Sequence, residues 1–331
     1  MADFEQLPIA LTTIRDGALL EMERLRNAVE SLTVAEWQVP SAASGWTIGE
    51  VVAHLDLFLG IYHRLLARLL AGDRLARLAT TVDRLALSAL PSATPIFNTV
   101  NGAIPKALAR SVSAEALQTR FVKSAARTGD VLLRLAPIDA AASANVTDGT
   151  NRLSFYVAIV VNELAIHGWD IASGREVRPE TCRGGRGGVP PERRLSSPTV
   201  ATGDRLRAAN GFPAQRLGEV AGLSESARLI LPWFYWSATP LMLHLPRRLG
   251  GTVQVLLSEP EAAMWWSITG GSVAAGRDRA TEPDVTIRLS SERYVLALAG
   301  RLRPAEALDS STAVEGDGLL AANFLAAWRL I

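Results

Sequence analysis

The chain has 331 residues, 48% of them hydrophobic and 20% charged, and its 34 basic and 33 acidic residues leave a formal net charge of +1. This composition builds a core rather than a disordered chain, and the balanced charge, without aromatic and basic residues interleaved, argues against a nucleic-acid partner. The single cysteine, Cys182, excludes a scaffold stapled by intrachain disulfides.

The N-terminal stretch carries acids early and does not read as a signal peptide. Residues 4–31 place Leu7, Leu11, Ile14, Leu19, Leu20, Met22, Leu25 and Val29 at roughly helical spacing, with Pro8 near the start. Thr33 to Glu36 reads as a capping box opening a short turn, and Pro40 to Trp46 as a loop. A second capping box, Thr47-Ile48-Gly49-Glu50, precedes a long helix expected over 48–70. This apolar run is interrupted by His54, Asp56, His63, Arg64 and Arg68, so it is not expected to span a membrane. Further helices are expected over 75–90, briefly over 104–110, from a Ser113 cap to about Leu135, and over 153–171 after a turn at Asp148-Gly149-Thr150. Long helices in this number predict an all-α bundle with four core helices.

Composition then shifts. Residues 182–194 read CRGGRGGVPPERR, a linker-like segment rich in Gly, Pro and Arg. Strands are expected over 252–257, 264–269 and 285–289, a helix from Ser290 through 294–299, and a final helix over 319–330. These imply a small α/β (α+β) second domain, a sheet with helices on one face. The expected division is a helical bundle over 1–175, a connecting segment over 176–230 and the α/β domain over 231–331.

Four histidines occur in the whole chain. His54 lies early in one expected helix; Glu163 and His167, four residues apart, share one face of another. Two helices can therefore turn two imidazoles and a carboxylate toward one bundle core. That donor set suits zinc, and also nickel or iron, and leaves a coordination position open. The bland alternative is a core histidine plus a helix-stabilising pair. His63 falls near the opposite face of its helix, and His244 lies in the second domain. Asp170, three residues after His167, can orient a ligand, accept a proton, or simply close the helix end. Asn162, Trp46 and Trp169 adjoin the same region. Trp233 to Trp236 and Met264 to Trp266 read as core filling or as the lining of an apolar pocket.

The segment from Ser44 to Leu55 reads SGWTIGEVVAHL, and Asn162 to Asp170 reads NELAIHGWD. Together they resemble the two signatures of the mycothiol-dependent maleylpyruvate isomerase family, of the DinB/YfiT-like superfamily. The resemblance implies a metal-binding four-helix bundle, with His54, Glu163 and His167 as ligands of a metal, typically zinc. It further implies mycothiol as thiol cosubstrate. The second half, with EPDVTI at 282–287, GRLRPAEA at 300–307 and VEGDGLLA at 314–321, resembles the sterol-carrier-protein-like domain that accompanies such bundles. Family arginines that grip substrate have only Arg74, Arg77 and Arg84 as loose counterparts, and none is carried over.

The function expected is a zinc- and thiol-dependent isomerase or S-transferase acting on a small electrophilic metabolite, with Asp170 assisting proton handling. A metal-dependent hydrolase using the same ligands and a non-enzymatic binder of hydrophobic ligands are the alternatives. The expected partners are the electrophile and a low-molecular-weight thiol, without nucleic acid or membrane, in the cytoplasm.

Overall fold

The computed structural model of the protein describes residues 7–71, 102–135, 149–176, 222–243 and 249–328. Four long helices enclose the first core. Helix α1 spans Leu11–Glu30 and buries a stripe of Leu11, Ile14, Ala18, Leu25 and Val29, the three-and-four spacing of an amphipathic helix. It begins just past Pro8, at Leu11, and Leu20, one of its apolar run, stays exposed. Glu36 opens a single 3-10 turn, Glu36–Gln38, and its carboxylate accepts from both the amide and the hydroxyl of Thr33.

Helix α2, Ile48–Leu70, starts on the expected capping box: the Glu50 amide donates to Thr47 Oγ1 at 3.2 Å and the Thr47 amide to the Glu50 carboxylate at 2.9 Å. A short helix over 102–111, α3, leads into α4, Ala114–Leu133, capped by the Ser113 hydroxyl. Helix α5, Gly149–Glu176, absorbs the Gly149 and Thr150 that read as a turn. The four long helices form a closed ring in which α1 and α2 each neighbour α4 and α5, so the expected bundle is present. By length and hydropathy the Leu153–Glu176 stretch of α5 meets the requirements for a membrane span, but two thirds of it is buried within the protein. The expected helix over 75–90 and the segment 182–194 lie outside the described residues.

Helix α6, Glu225–Ser237, is capped by Ser224 and continues through Pro232. It packs against α1 and α5 and against the Ser291–Leu298 helix of the second half, joining the two. A short helix, α7, Thr239–Met242, follows. The second half is a five-stranded sheet of β1 (Gly251–Ser258), β2 (Ala262–Thr269), β3 (Ser272–Arg277), β4 (Val285–Ser290) and β5 (Ala313–Gly316). Their order is β3-β2-β1-β4-β5, with β1 parallel to β4 and every other pair antiparallel. Helices α8 (Ser291–Leu298) and α10 (Gly318–Ala326) pack on β1 and β4, with the short α9, Pro304–Ala307, between them.

The three expected strands are present; β3 and β5 are additional. Both are edge strands of weak β composition, held by pairing with a stronger neighbour. Gly270 and Gly271, with φ of +58° and +85°, supply the left-handed turn that folds β3 back on β2. Phe234, Tyr235, Trp236 and Trp266 are almost wholly buried, and the Trp266 indole donates to the Thr239 hydroxyl at 2.8 Å. These aromatic residues fill the core rather than line an open pocket.

Candidate metal centre

His54 sits in the second turn of α2, just inside the Thr47 cap, with Val51, Val52 and Leu55 anchoring the helix in the core around it. Glu163 and His167 stand one turn apart on α5. His54 Nε2 lies 3.0 Å from Glu163 Oε2, and His167 Nε2 lies 3.5 Å from the same oxygen. All three candidate ligand atoms lie within 4.8 Å of one another. The three side chains retain 15–19% exposure, so they meet at a recess with access from outside rather than in a sealed core.

The electrostatics follow from this crowding. Burial works against the charge of Glu163, yet hydrogen bonds and attraction from His167 and His54 outweigh it and hold its carboxyl below the usual range. Burial also opposes a charged His167, but its hydrogen bonds to Asp170 and Glu163 prevail and its pKa is pushed up to about 9. Two imidazoles drawn onto one carboxylate form a site that favours a cation at its centre.

Asp170 anchors the cluster from behind. It is fully buried, and its Oδ2 lies 2.8 Å from His167 Nδ1. Arg301, from the second half, grips the same carboxylate with Nε on Oδ1 and Nη2 on Oδ2, both at 2.7 Å. A two-pronged guanidinium–carboxylate pair of this kind is strong and directional. Burial pushes the Asp170 carboxyl up, but the Arg301 charge and the bonds from His167 and Arg301 keep it below its ordinary value. An ionised Asp170 accepts a hydrogen bond from the Nδ1–H of His167, which fixes the ring and leaves Nε2 as the atom that faces Glu163.

Arg301 reaches this position because of how α8 ends. Gly300 adopts φ +67°, the Gly300 amide donates to Ala297 O at 3.0 Å and the Arg301 amide to Leu296 O at 2.8 Å. This paired closure of the helix end turns the chain and presents Arg301 to the bundle. A second buried tie lies beside Glu163, where the Tyr235 hydroxyl of α6 donates to Asn162 Oδ1 at 2.9 Å. Burial, reinforced by the Glu163 charge against an opposing Arg301, pushes the Tyr235 phenol up and keeps it a donor.

The loop before α2 is tied to the same place. Ser41 and Trp46 pair across it, and the Ala42 amide donates to the Asp170 carbonyl at 3.1 Å. A Cβ at Gly174 would lie 2.8 Å from Pro40 O, so only glycine lets α5 come this close to the loop. Trp46 is thereby set edge-on against the His54 ring, with centroids 5.6 Å apart. Trp169 is a partly buried packing residue on the same core.

The remaining sequence candidates separate cleanly. Asp56 turns away from the cluster and binds Arg120 and Ser124 of α4. Among the described residues, His63 Nδ1 approaches the Leu59 carbonyl, at 3.3 Å. His244, Cys182, Arg74, Arg77 and Arg84 lie outside the described residues. Arg301 and Tyr235 went unrecognised as parts of the site, because a buried arginine or tyrosine carries no mark in sequence. The only available signal was the Gly-Arg pair closing α8, which locates the helix end but not what the arginine meets.

Residues 18–172 match the family described as the Mycothiol maleylpyruvate isomerase N-terminal domain. No curated protein sequence matches the chain. Among solved structures, the chain is similar to a mycothiol-dependent maleylpyruvate isomerase at 16% identity and a TM-score of 0.46, over 95% of this chain and 96% of that one. A histidine-to-alanine mutant of a mycothiol-dependent maleylpyruvate isomerase is similar at 17% identity and a TM-score of 0.45, over 91% and 93%. The stereoselective inverting sec-alkylsulfatase Pisa1 from Pseudomonas sp. follows at 14% identity and a TM-score of 0.29, over 61% and 30%. At such identities and TM-scores the structural likeness does not extend to function. The helical bundle carries the match to the Mycothiol maleylpyruvate isomerase N-terminal domain, and that match with the His–Glu–His cluster marks the protein as an enzyme.

Proposed function

We propose that the protein is a zinc- and mycothiol-dependent isomerase or S-transferase acting on a small electrophilic metabolite. The observation that carries this reading is the convergence of His54, Glu163 and His167 inside the bundle that carries that match. The donor set fits a metal. Three donors bound at about 2.0–2.1 Å in tetrahedral array stand roughly 3.3 Å apart; Glu163 here stands 3.0 and 3.5 Å from the two imidazoles, and all three atoms lie within 4.8 Å of one another. Two imidazoles and one carboxylate also suit nickel or iron, but zinc is the ion that most often takes three such ligands and keeps a fourth position for substrate.

When bound, the metal supplies Lewis acidity that favours the thiolate form of a coordinated thiol at neutral pH. The chain's own residues do the rest. His54, Glu163 and His167 hold the ion. Asp170 fixes the tautomer and ring plane of His167, and Arg301 keeps Asp170 charged and immobile. Both oxygens of Asp170 are already engaged, so we assign it a positioning role ahead of the proton transfer that its place near His167 first suggested. Bundle, connector and second domain are read as 1–175, 176–230 and 231–331, the last as sterol-carrier-protein-like on its EPDVTI, GRLRPAEA and VEGDGLLA segments. An enzyme that draws on a free thiol pool belongs in a reducing compartment, so we place it in the cytoplasm.

Metal analysis of the purified protein, together with turnover of conjugated electrophiles with and without mycothiol, tests the reading. About one ion per chain and strictly thiol-dependent turnover are expected, both lost in His54→Ala. Turnover that persists in His54→Ala overturns the metal role, and electrophile hydrolysis without thiol replaces this reading with a metal-dependent hydrolase.

A further inference from the structure

The second half holds a crevice of its own, away from the bundle. β1 and β4 lie side by side and parallel at the centre of the sheet, with Ser258 opposite Ser290 at their C-terminal ends. Beyond those ends the chain leaves to opposite sides, from β1 to β2 and from β4 through α8 to β5. Neighbouring parallel strands whose connections diverge leave a gap between them, the place where open α/β sheets take their ligands. Here the gap has a volume of about 490 Å³, and Leu256, Ser258, Arg288, Ser290, Arg293 and Ser311 are among the residues that line it. That is room for a small organic molecule rather than a bare ion.

Its polar groups suit an anion. Strand alternation buries Ile287 and Leu289 and turns Arg288 to the open face of the sheet. The Arg288 Nε donates to Glu315 Oε1 of β5 at 3.2 Å, a pair exposed on both sides and so weakly held. Its two Nη atoms make no hydrogen bond among the described residues. Arg293, in the first turn of α8, donates through Nη2 to Asp309 Oδ2 at 2.7 Å and to the Glu306 carbonyl, while its Nε is buried without a partner. A buried donor left open beside a cavity calls for an acceptor. The Ser290 hydroxyl caps α8 by accepting from the Arg293 amide at 3.2 Å, and its own proton remains to be donated. Ser291 Oγ donates to the Ser258 and Pro260 carbonyls, so the first turn of α8, with its partial positive charge, is fixed at the ends of the two strands. Asp309 and Glu315 stand beside the crevice, each holding one guanidinium and partly neutralising it. That balance disfavours a singly charged ligand with two oxygens. It favours one whose three oxygens and roughly double charge can bridge both arginines. Leu256 and Leu257 offer an apolar side for the organic part.

We propose that this crevice binds a phosphorylated small metabolite, a phosphomonoester, with Arg288 and Arg293 gripping the phosphate and the Ser258 and Ser290 hydroxyls donating to it. The site is independent of the metal centre and of the reaction proposed above. Phenyl phosphate, inorganic phosphate, phenyl sulfate and benzoate, titrated calorimetrically into the full-length protein, test it. Phenyl phosphate is expected to bind at least about 10-fold more tightly than each of the others, and equally well to His54→Ala. Arg288→Gln, on the exposed face, should keep the melting temperature and weaken phenyl phosphate about 10-fold. Glu315→Gln releases Arg288 from its competing carboxylate and should tighten binding about 2- to 5-fold. No binding of phenyl phosphate at about 10 mM, far weaker than bridged arginines allow, or unchanged affinity in a folded Arg288→Gln protein, overturns the proposal. Binding lost in His54→Ala would place the phosphate on the metal and overturn it as well. Inorganic phosphate or phenyl sulfate bound as tightly as phenyl phosphate would overturn the phosphomonoester assignment.

Discussion

Two buried aspartates of this protein, Asp56 and Asp170, each hold an arginine, and only one of the two pairs belongs to the site. Asp56 on α2 accepts from Arg120 at 3.0 Å and from the Ser124 hydroxyl at 2.7 Å, all within the bundle, and Arg120 is half exposed. Asp170 on α5 is gripped twice by Arg301, which comes from the other half of the chain and is itself largely buried, and its third partner is His167. The same pairing chemistry locks two helices in one case. In the other it joins two domains and fixes the orientation of a candidate ligand. The third partner, rather than the ion pair, separates a structural tie from a functional one.

The largest effect that sharpens this contrast comes from the cluster itself. His167→Ala removes one donor and the link to Asp170, and the protein is expected to lose its roughly one bound ion per chain, as read by metal analysis after dialysis. Next is Arg301→Met, which leaves the Asp170 charge buried without its partner. Breaking a pair of this kind costs about 3–5 kcal/mol of stability, and disturbing the residue behind a ligand weakens metal binding about 10- to 100-fold. Denaturant titration and competition with a chelator measure the two effects. The double variant Arg301→Met with Asp170→Leu separates them: stability should largely return because no lone charge remains, while metal affinity stays low. If affinity returned as well, Asp170 would be a structural residue like Asp56.

Asp56→Asn is the opposite probe. It weakens the α2–α4 tie, with an expected loss of about 1–3 kcal/mol, and should leave metal affinity unchanged although it lies two residues from His54. A fall in affinity beyond that expected from partial unfolding would break the contrast.

The smallest effect is at the periphery. Glu36 accepts from Thr33 and from Arg175 at 3.1 Å, and its pKa is lowered from 4.5 to about 2, chiefly by the Thr33 amide and hydroxyl. A depressed carboxylate contributes stability that is complete above 4.5 and is lost as pH falls toward about 2. Glu36→Gln should therefore cost about 1 kcal/mol at neutral pH and flatten the acid limb of the stability profile between those values. Thermal melts across that range, with metal content held constant, provide the readout.

Much of the scaffold was legible beforehand because its signals are local. The Thr47 box, the Ser113 cap and the Ser290 cap each start a helix where the sequence places them, since a short polar side chain meets an orphan amide within three residues. The four-residue spacing of Glu163 and His167 has the same local character. Edge strands β3 and β5 were not legible: their residues carry little β preference of their own, and their state is set by the neighbours with which they pair. The Gly270-Gly271 turn was a readable signal for β3 that the alternation of its flanks did not reinforce.

The sequence by itself determined the capped starts of α2, α4 and α8, the three central strands and the identity of the candidate ligands. Periodicity and capping act over a few residues, and the Gly-Trp-Thr and Trp-Asp motifs flank the ligands directly. Only the tertiary structure decided that Arg301 of the second half secures Asp170 and that Tyr235 holds Asn162. Each of these depends on the meeting of residues distant along the chain or on separate helices. Such meetings come from burying a shared core, and no local pattern of residues encodes which partners that burial brings together.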